Sequence, residues 1–85
     1  MSEKLPTLAI LGGTGDLGTG LARRWAQAGY EVIIGSRTVD KAEVAAADLR
    51  KVMEERGIKN INVRAADNLA AAQQADIVAM TVPFS

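Results

Sequence analysis

Apolar positions in this chain fall into two patterns: short unbroken runs, and longer stretches where they recur every three or four residues. Thr7–Leu11 (TLAIL) is an unbroken run between Pro6 and the pair Gly12–Gly13, as expected of a strand buried on both faces. From about Gly15 to Ala28, the residues Leu17, Leu21, Trp25 and Ala28 recur at helical spacing, and Gly29 supplies a C-terminal stop. Glu31–Gly35 (EVIIG) reads as a second strand. Thr38–Arg56 reads as a long helix with Ala42, Ala45, Leu49, Val52 and Met53 on one face, closed by Gly57. Asn60–Ala65 (NINVRA) alternates enough for a third strand. Asp67 or Asn68 suits the cap of a short helix over Leu69–Ala75, and Ile77–Val82 is a fourth strand stopped by Pro83. The order β-α-β-α-β-α-β, with short connections and apolar strands, predicts an α/β fold with a doubly wound, right-handed parallel sheet.

Composition narrows the chemistry. The sequence has 85 residues, which allows one small domain. Hydrophobic residues make up 48%, enough for a core, and ten basic side chains balance ten acidic ones, so no broad field steers nucleic acid or a membrane surface. Cysteine and histidine are both absent, which removes disulfides, thiolate metal sites and the commonest members of catalytic triads and zinc sites. The opening MSEKLPTLAIL does not read as a signal peptide, and no run approaches the roughly 20 apolar residues of a membrane span. The expected location is the cytoplasm. The closing ADIVAMTVPFS reads as a strand that has just finished. Residues 1–85 are therefore expected to be the N-terminal portion of a larger domain, whose C-terminal part is not in this sequence.

Five glycines fall between Gly12 and Gly20, and Gly13-Thr14-Gly15-Asp16-Leu17-Gly18 fits G-x-G-x-x-G. The pattern alone is weak, but here it follows a predicted strand and opens a predicted helix. Gly13 permits the tight turn, Gly15 lets a pyrophosphate approach the backbone, and Gly18 lets the helix lie close to the sheet. The phosphates would meet free N–H groups at the helix N-terminus. This is the glycine turn of a Rossmann-like dinucleotide site. Gly12 and Gly20 need only be small for packing, and Trp25 reads as a packing residue of the helix face rather than a stacking platform.

Two further signals lie at strand ends. NAD-type sites carry an acid at the end of the second strand, for the adenine ribose hydroxyls. This sequence has Gly35-Ser36-Arg37 there, with Lys41 one turn into the next helix. A hydroxyl and two cations suit a 2′-phosphate, and the planar donor fork of arginine matches its oxygens. The preference expected is NADP(H) over NAD(H), with Thr14 adding a hydroxyl near the same phosphate. Thr81-Val82-Pro83 ends the fourth strand, on the edge where open α/β sheets bind ligands, and is placed to line the nicotinamide half.

LGGTGDLGTGLA, EVIIGSRTVDKAE and ADIVAMTVP together resemble the N-terminal part of the coenzyme F420-dependent NADP reductases, along nearly the whole chain. The most specific pieces are GGTG-x-x-G, GSR with a lysine four residues after the arginine, and T-V-P. The resemblance implies an NADP-binding Rossmann domain. It assigns Thr14, Gly15, Asp16 and Leu17 to the phosphate-binding turn, Ser36, Arg37 and Lys41 to the 2′-phosphate, and Val82 and Pro83 to the nicotinamide. It also implies hydride transfer between NADPH and the deazaflavin F420 as co-substrate, and a homodimer for the full-length protein. The cofactors carry that chemistry, so no catalytic side chain is expected.

Two other classes remain. In an atypical short-chain dehydrogenase-like protein, or a redox sensor that binds NADPH without turnover, Gly12-x-x-Gly15-x-x-Gly18 would serve equally well, and the resemblance to that group implies that Asp67 would touch adenine. A nucleotide-sensing module of a transport or regulatory protein would keep the glycine turn and lack a catalytic partner.

Overall fold

The structure, a computed structural model, describes residues 5–12, 16–58 and 61–80, with Asp16 and Leu17 described through their backbone alone. Four strands alternate with three helices: β1 (Thr7–Leu11), α1 (Asp16–Gln27), β2 (Glu31–Ser36), α2 (Val39–Glu55), β3 (Val63–Asp67), α3 (Asn68–Gln74) and β4 (Ile77–Met80). The strands form one all-parallel sheet in the order β3-β2-β1-β4. Chain direction across the sheet therefore reverses beside β1, which is the switch point where open α/β sheets form their ligand crevice.

Both faces of the sheet are covered at β1 and β2, as their apolar runs require, while β4 leaves Ile77, Val78 and Met80 exposed. Ile10, Val32, Ile34 and Val63 meet Ala22 and Ala26 of α1 and Ala42, Ala46, Leu49 and Met53 of α2. On the opposite face Ala9 and Ile33 meet Ala71 of α3. Strand periodicity explains the split, since alternate residues of β1 and β2 point to opposite sides.

The helices bury slightly different stripes from those the sequence suggests. In α1 the buried residues are Gly18, Ala22 and Ala26, while Leu21 and Trp25 pack at the margin of the core and Ala28 is exposed. Small residues face the strands because they let the helix lie close, and the larger ones fill its flanks. In α2 the buried stripe is Ala42, Ala46, Leu49 and Met53; Ala45 sits at its edge and Val52 is exposed. Residues 45 and 52 stand one helical step, about 100°, off that stripe. Both helices end as expected, with Gly29 at φ 99° and Gly57 at φ 78°, in the left-handed region where a glycine closes a helix at least strain.

β3 is displaced from its expected place, occupying Val63–Asp67 rather than 60–65. Its Ala-Ala-Asp end has little intrinsic strand preference. Pairing with β2 decides its position, from Val32↔Val63 to Ser36↔Asp67. Residues 59–60 lie outside the described residues, as do 81–85, so β4 is described only to Met80. No helix of the described residues is long and apolar enough to cross a membrane.

The amino ends of the strands are tied together by polar contacts. The Thr7 N–H donates to Asp76 Oδ2 at 2.9 Å, and the Asp76 N–H donates to the Thr7 carbonyl at 2.8 Å. Thr7 Oγ1 donates to Glu31 Oε1 at 3.1 Å, while Arg64 reaches both Glu31 at 3.4 Å and Gln74 Oε1 at 3.1 Å. These contacts fix strand register at the edge away from the glycine turn.

Candidate functional site

Register brings the carboxyl ends of the strands into line. Leu11 pairs with Gly35 on one side and Met80 on the other, and Gly35 pairs with Ala66. The segments that leave these positions therefore start along one edge of the sheet. Residues 13–15 of the glycine turn and Thr81, Val82 and Pro83 lie outside the described residues, as do the side chains of Asp16 and Leu17. What the structure describes of the candidate site is Gly12, Gly18, Ser36, Arg37 and Lys41, with the chain around them.

Gly12 is the first residue past β1 and has φ 71°. A positive φ at this point turns the chain away from the strand, and an L side chain would strain it. Its role is conformational, which the expectation of mere smallness missed. Gly18 is buried in the first turn of α1, on the stripe that faces the sheet. Gly20 has open space around it, with nothing within 4 Å of where a Cβ would stand. Packing does not require a glycine there.

At the end of β2 the chain places one buried hydroxyl residue and two exposed cations. Ser36 is 7% exposed and is the last residue of the strand. Arg37 follows it in the bend before α2, and Lys41 lies in the first turn of that helix; both are exposed. Among the described residues neither cation has an ion pair, and the one salt bridge found there is Arg64–Glu31. Thr38, in the N-cap position of α2, makes no side-chain capping bond. The free N–H groups of that helix end add partial positive charge beside Arg37 and Lys41, although Asp40 shares the same turn.

β3 and α3 complete this edge. Asp67 is the N-cap of α3, its Oδ1 accepting from the Ala70 N–H at 2.8 Å. Of the two candidate caps, Asp67 does the capping and Asn68 does something else. Asn68 Oδ1 accepts from the Gly12 N–H at 3.4 Å, a long bond that crosses above β2 to the turn after β1. Gly35 makes room for it. A Cβ on Gly35 would stand 3.0 Å from Asn68 Oδ1, 3.1 Å from the Ala71 Cβ and 3.1 Å from Leu11 Cδ2. Sequence reasoning treated Gly35 only as a strand end. A glycine inside an apolar strand was the available sign of close approach.

One described groove, of about 480 Å³, reaches the candidate site through Lys41 and Asp40 and continues along α2 past Val44 and Asp48. Another, of about 430 Å³, runs between α1 and α2, along Gly20, Arg23, Asp48 and Val52, on the helical face and not over the strand ends.

Comparison with known proteins adds an independent line. A family model described as "NADP oxidoreductase coenzyme F420-dependent" matches residues 7–85. The chain is 54% identical to an F420-dependent NADP reductase of Methanothermobacter thermautotrophicus over 77 residues, which is 91% of this chain and 32% of that protein. It is 43% identical to an F420-dependent NADP reductase of Methanocaldococcus jannaschii, again over 91% of this chain, and 34% of that protein is covered. A probable arogenate/prephenate dehydrogenase of the same organism is 33% identical over 93% of this chain and 15% of its own length. The chain spans about a third of the length of the reductases it matches.

Proposed function

The chain belongs to the coenzyme F420-dependent NADP oxidoreductase family, and from that premise we propose that residues 1–85 form an NADP(H)-binding Rossmann domain whose intact protein exchanges hydride between NADPH and the deazaflavin F420. The observation that carries the cofactor preference is the end of β2. Two exposed cations, Arg37 and Lys41, follow the buried Ser36 at the edge of the sheet where the glycine turn begins, and neither has an ion pair among the described residues. No acid occupies the position that would hold a free ribose hydroxyl pair. The side-chain set is suited to a dianionic group and fits a 2′-phosphate.

In this reading each described residue has a binding task. Arg37 offers a planar pair of donors to phosphate oxygens, and Lys41 offers a second charge from the following helical turn. Ser36 closes the strand with a hydroxyl beside them. Gly12 turns the chain off β1, and Gly13, Thr14, Gly15, Asp16 and Leu17 form the diphosphate turn, with Gly18 seating α1 behind it. Thr81, Val82 and Pro83 line the nicotinamide half. The hydride chemistry is that of the nicotinamide and deazaflavin rings, which is why a domain without histidine or cysteine suffices. The domain's contribution is to fix one ring and exclude water from it. Homodimerisation and a cytoplasmic setting belong to the same proposal.

The short-chain dehydrogenase-like alternative gains no support from Asp67. That reading uses the Asp67 carboxylate for adenine, and here its Oδ1 caps α3.

The test is a pair of titrations on the intact protein. Replacing Arg37 by Ala should weaken NADPH about 10-fold or more, the worth of a charge-assisted contact, and leave NADH nearly unchanged. An unchanged NADPH affinity would remove Arg37 from the 2′-phosphate. For the reaction, NADPH and oxidised F420 are mixed with the protein and the deazaflavin's visible absorbance is followed. Bleaching is expected; intact NADPH binding without bleaching would favour a sensor.

A further inference from the structure

We propose that Asn68 is a positioning residue for the dinucleotide site: its carboxamide, delivered by the start of α3, holds the first N–H of the glycine turn and so sets where the diphosphate-binding backbone stands. The inference rests on the dinucleotide reading given above. It adds a residue from the third βα unit to a site otherwise built from the first two.

Three observations meet at this side chain. Asn68 is the first residue of α3, and Asp67 has already satisfied the cap, so the amide is not needed for capping. Its Oδ1 accepts from the N–H of Gly12, the residue whose positive φ starts the turn. The third is Gly35, between the two in space. A methyl group there would stand 3.0 Å from the same oxygen, so the path from α3 to the turn is kept open by the absence of a side chain.

The physical reason for such a clamp lies in what the turn must do. A glycine-rich loop has more backbone freedom than any other sequence, and a diphosphate needs its N–H groups held in one arrangement. A bond made to the first residue of the turn, from a helix packed on the opposite face to α1, restrains the loop where it leaves the sheet. The restraint precedes the 2′-phosphate residues and does not touch them. Asn68 should therefore affect NADPH and NADH alike, whereas Arg37 should separate them.

The experiment uses the intact protein, its Asn68→Ala variant and its Asn68→Asp variant, which keeps an acceptor oxygen. Two readouts are taken: calorimetric titration with NADPH, NADH and adenosine 2′-monophosphate, and amide hydrogen exchange at Gly12 without ligand. Asn68→Ala is expected to weaken both dinucleotides by the same factor, about fivefold or more, the scale of one net hydrogen bond. Adenosine 2′-monophosphate, which has no diphosphate, should bind as before. Exchange at Gly12 should quicken in Asn68→Ala while Ile10 keeps its protection, and Asn68→Asp should restore the slow exchange. Unchanged dinucleotide affinity in Asn68→Ala overturns the proposal. So does a changed NADPH-to-NADH ratio, which would put Asn68 on the 2′-phosphate, or unchanged Gly12 exchange. A wild-type protein that binds neither dinucleotide refutes the parent reading instead. In that case the Gly12 exchange still decides whether the clamp exists.

Discussion

Replacing Gly35 by alanine tests the geometry at the carboxyl edge. Gly35 lies inside β2 and does not have a positive φ, so its backbone accepts any residue. On local grounds alanine should then stabilise the strand by about 0.5–1 kcal/mol. Space decides otherwise. The added methyl would stand 3.0 Å from Asn68 Oδ1 and 3.1 Å from both the Ala71 Cβ and Leu11 Cδ2. Comfortable carbon contacts lie at about 3.5–4.0 Å, so each neighbour has to yield by roughly half an ångström. Leu11 Cδ2 ends a flexible side chain and can move. The Ala71 Cβ is fixed to the backbone of a fully buried helix position and moves only with α3. Overpacking of this kind costs about 1–3 kcal/mol, which exceeds the local gain. The net expectation is a loss of about 1–2 kcal/mol. Urea unfolding of the intact protein followed by circular dichroism measures it. The cost should shrink in an Ala71→Gly background, with a coupling of at least about 0.5 kcal/mol. A Gly35→Ala protein as stable as the parent, or more so, would refute the reasoning.

Gly20→Ala should do the opposite and stabilise the protein by about 0.5–1 kcal/mol, because α1 has open space at that position; a thermal melt that falls would contradict this. Asp67→Ala removes the cap of the seven-residue helix α3 and should cost about 1 kcal/mol, read from the urea midpoint. Asp76→Ala leaves the Thr7 N–H without its carboxylate partner and should cost about 1–3 kcal/mol, with faster amide exchange at Thr7 than at Ile10.

The succession of strands and helices and the parallel sheet were legible because the strong signals were local. TLAIL and EVIIG each hold an unbroken aliphatic run, Leu8–Leu11 and Val32–Ile34, and both strands lie where those runs stand. Gly29 and Gly57 marked helix ends correctly because a left-handed residue is demanded by the chain itself. Signals that depend on another element read less well. β3 carries Ala-Ala-Asp, and only the ladder to β2 shows where it starts. The buried stripe of α1 runs through Gly18, Ala22 and Ala26, which periodicity of large residues passes over. At the candidate site, Ser36, Arg37 and Lys41 were singled out from their offset to the second strand. Asn68 was not, because its partner, Gly12, is 56 residues away in the chain. Spacing along a sequence carries no sign of a contact made across the sheet.

The ladder between β1 and β4 also bears on how the chain is made. Its two strands meet through Thr7 and Asp76, 69 residues apart, whereas β1 and β2 meet through Thr7 and Glu31, 24 residues apart. During synthesis β1, β2 and β3 can assemble as soon as they emerge. The second edge of β1, which ends up inside the sheet, stays open until Ile77–Met80 leave the ribosome. At about 5–20 residues per second, that leaves the aliphatic edge of TLAIL unpaired for several seconds. An unpaired apolar strand edge of this kind templates pairing with other chains. The nascent domain is thus most exposed to misassembly just before β4 arrives, and any slowing of translation across α2 or α3 would lengthen that interval.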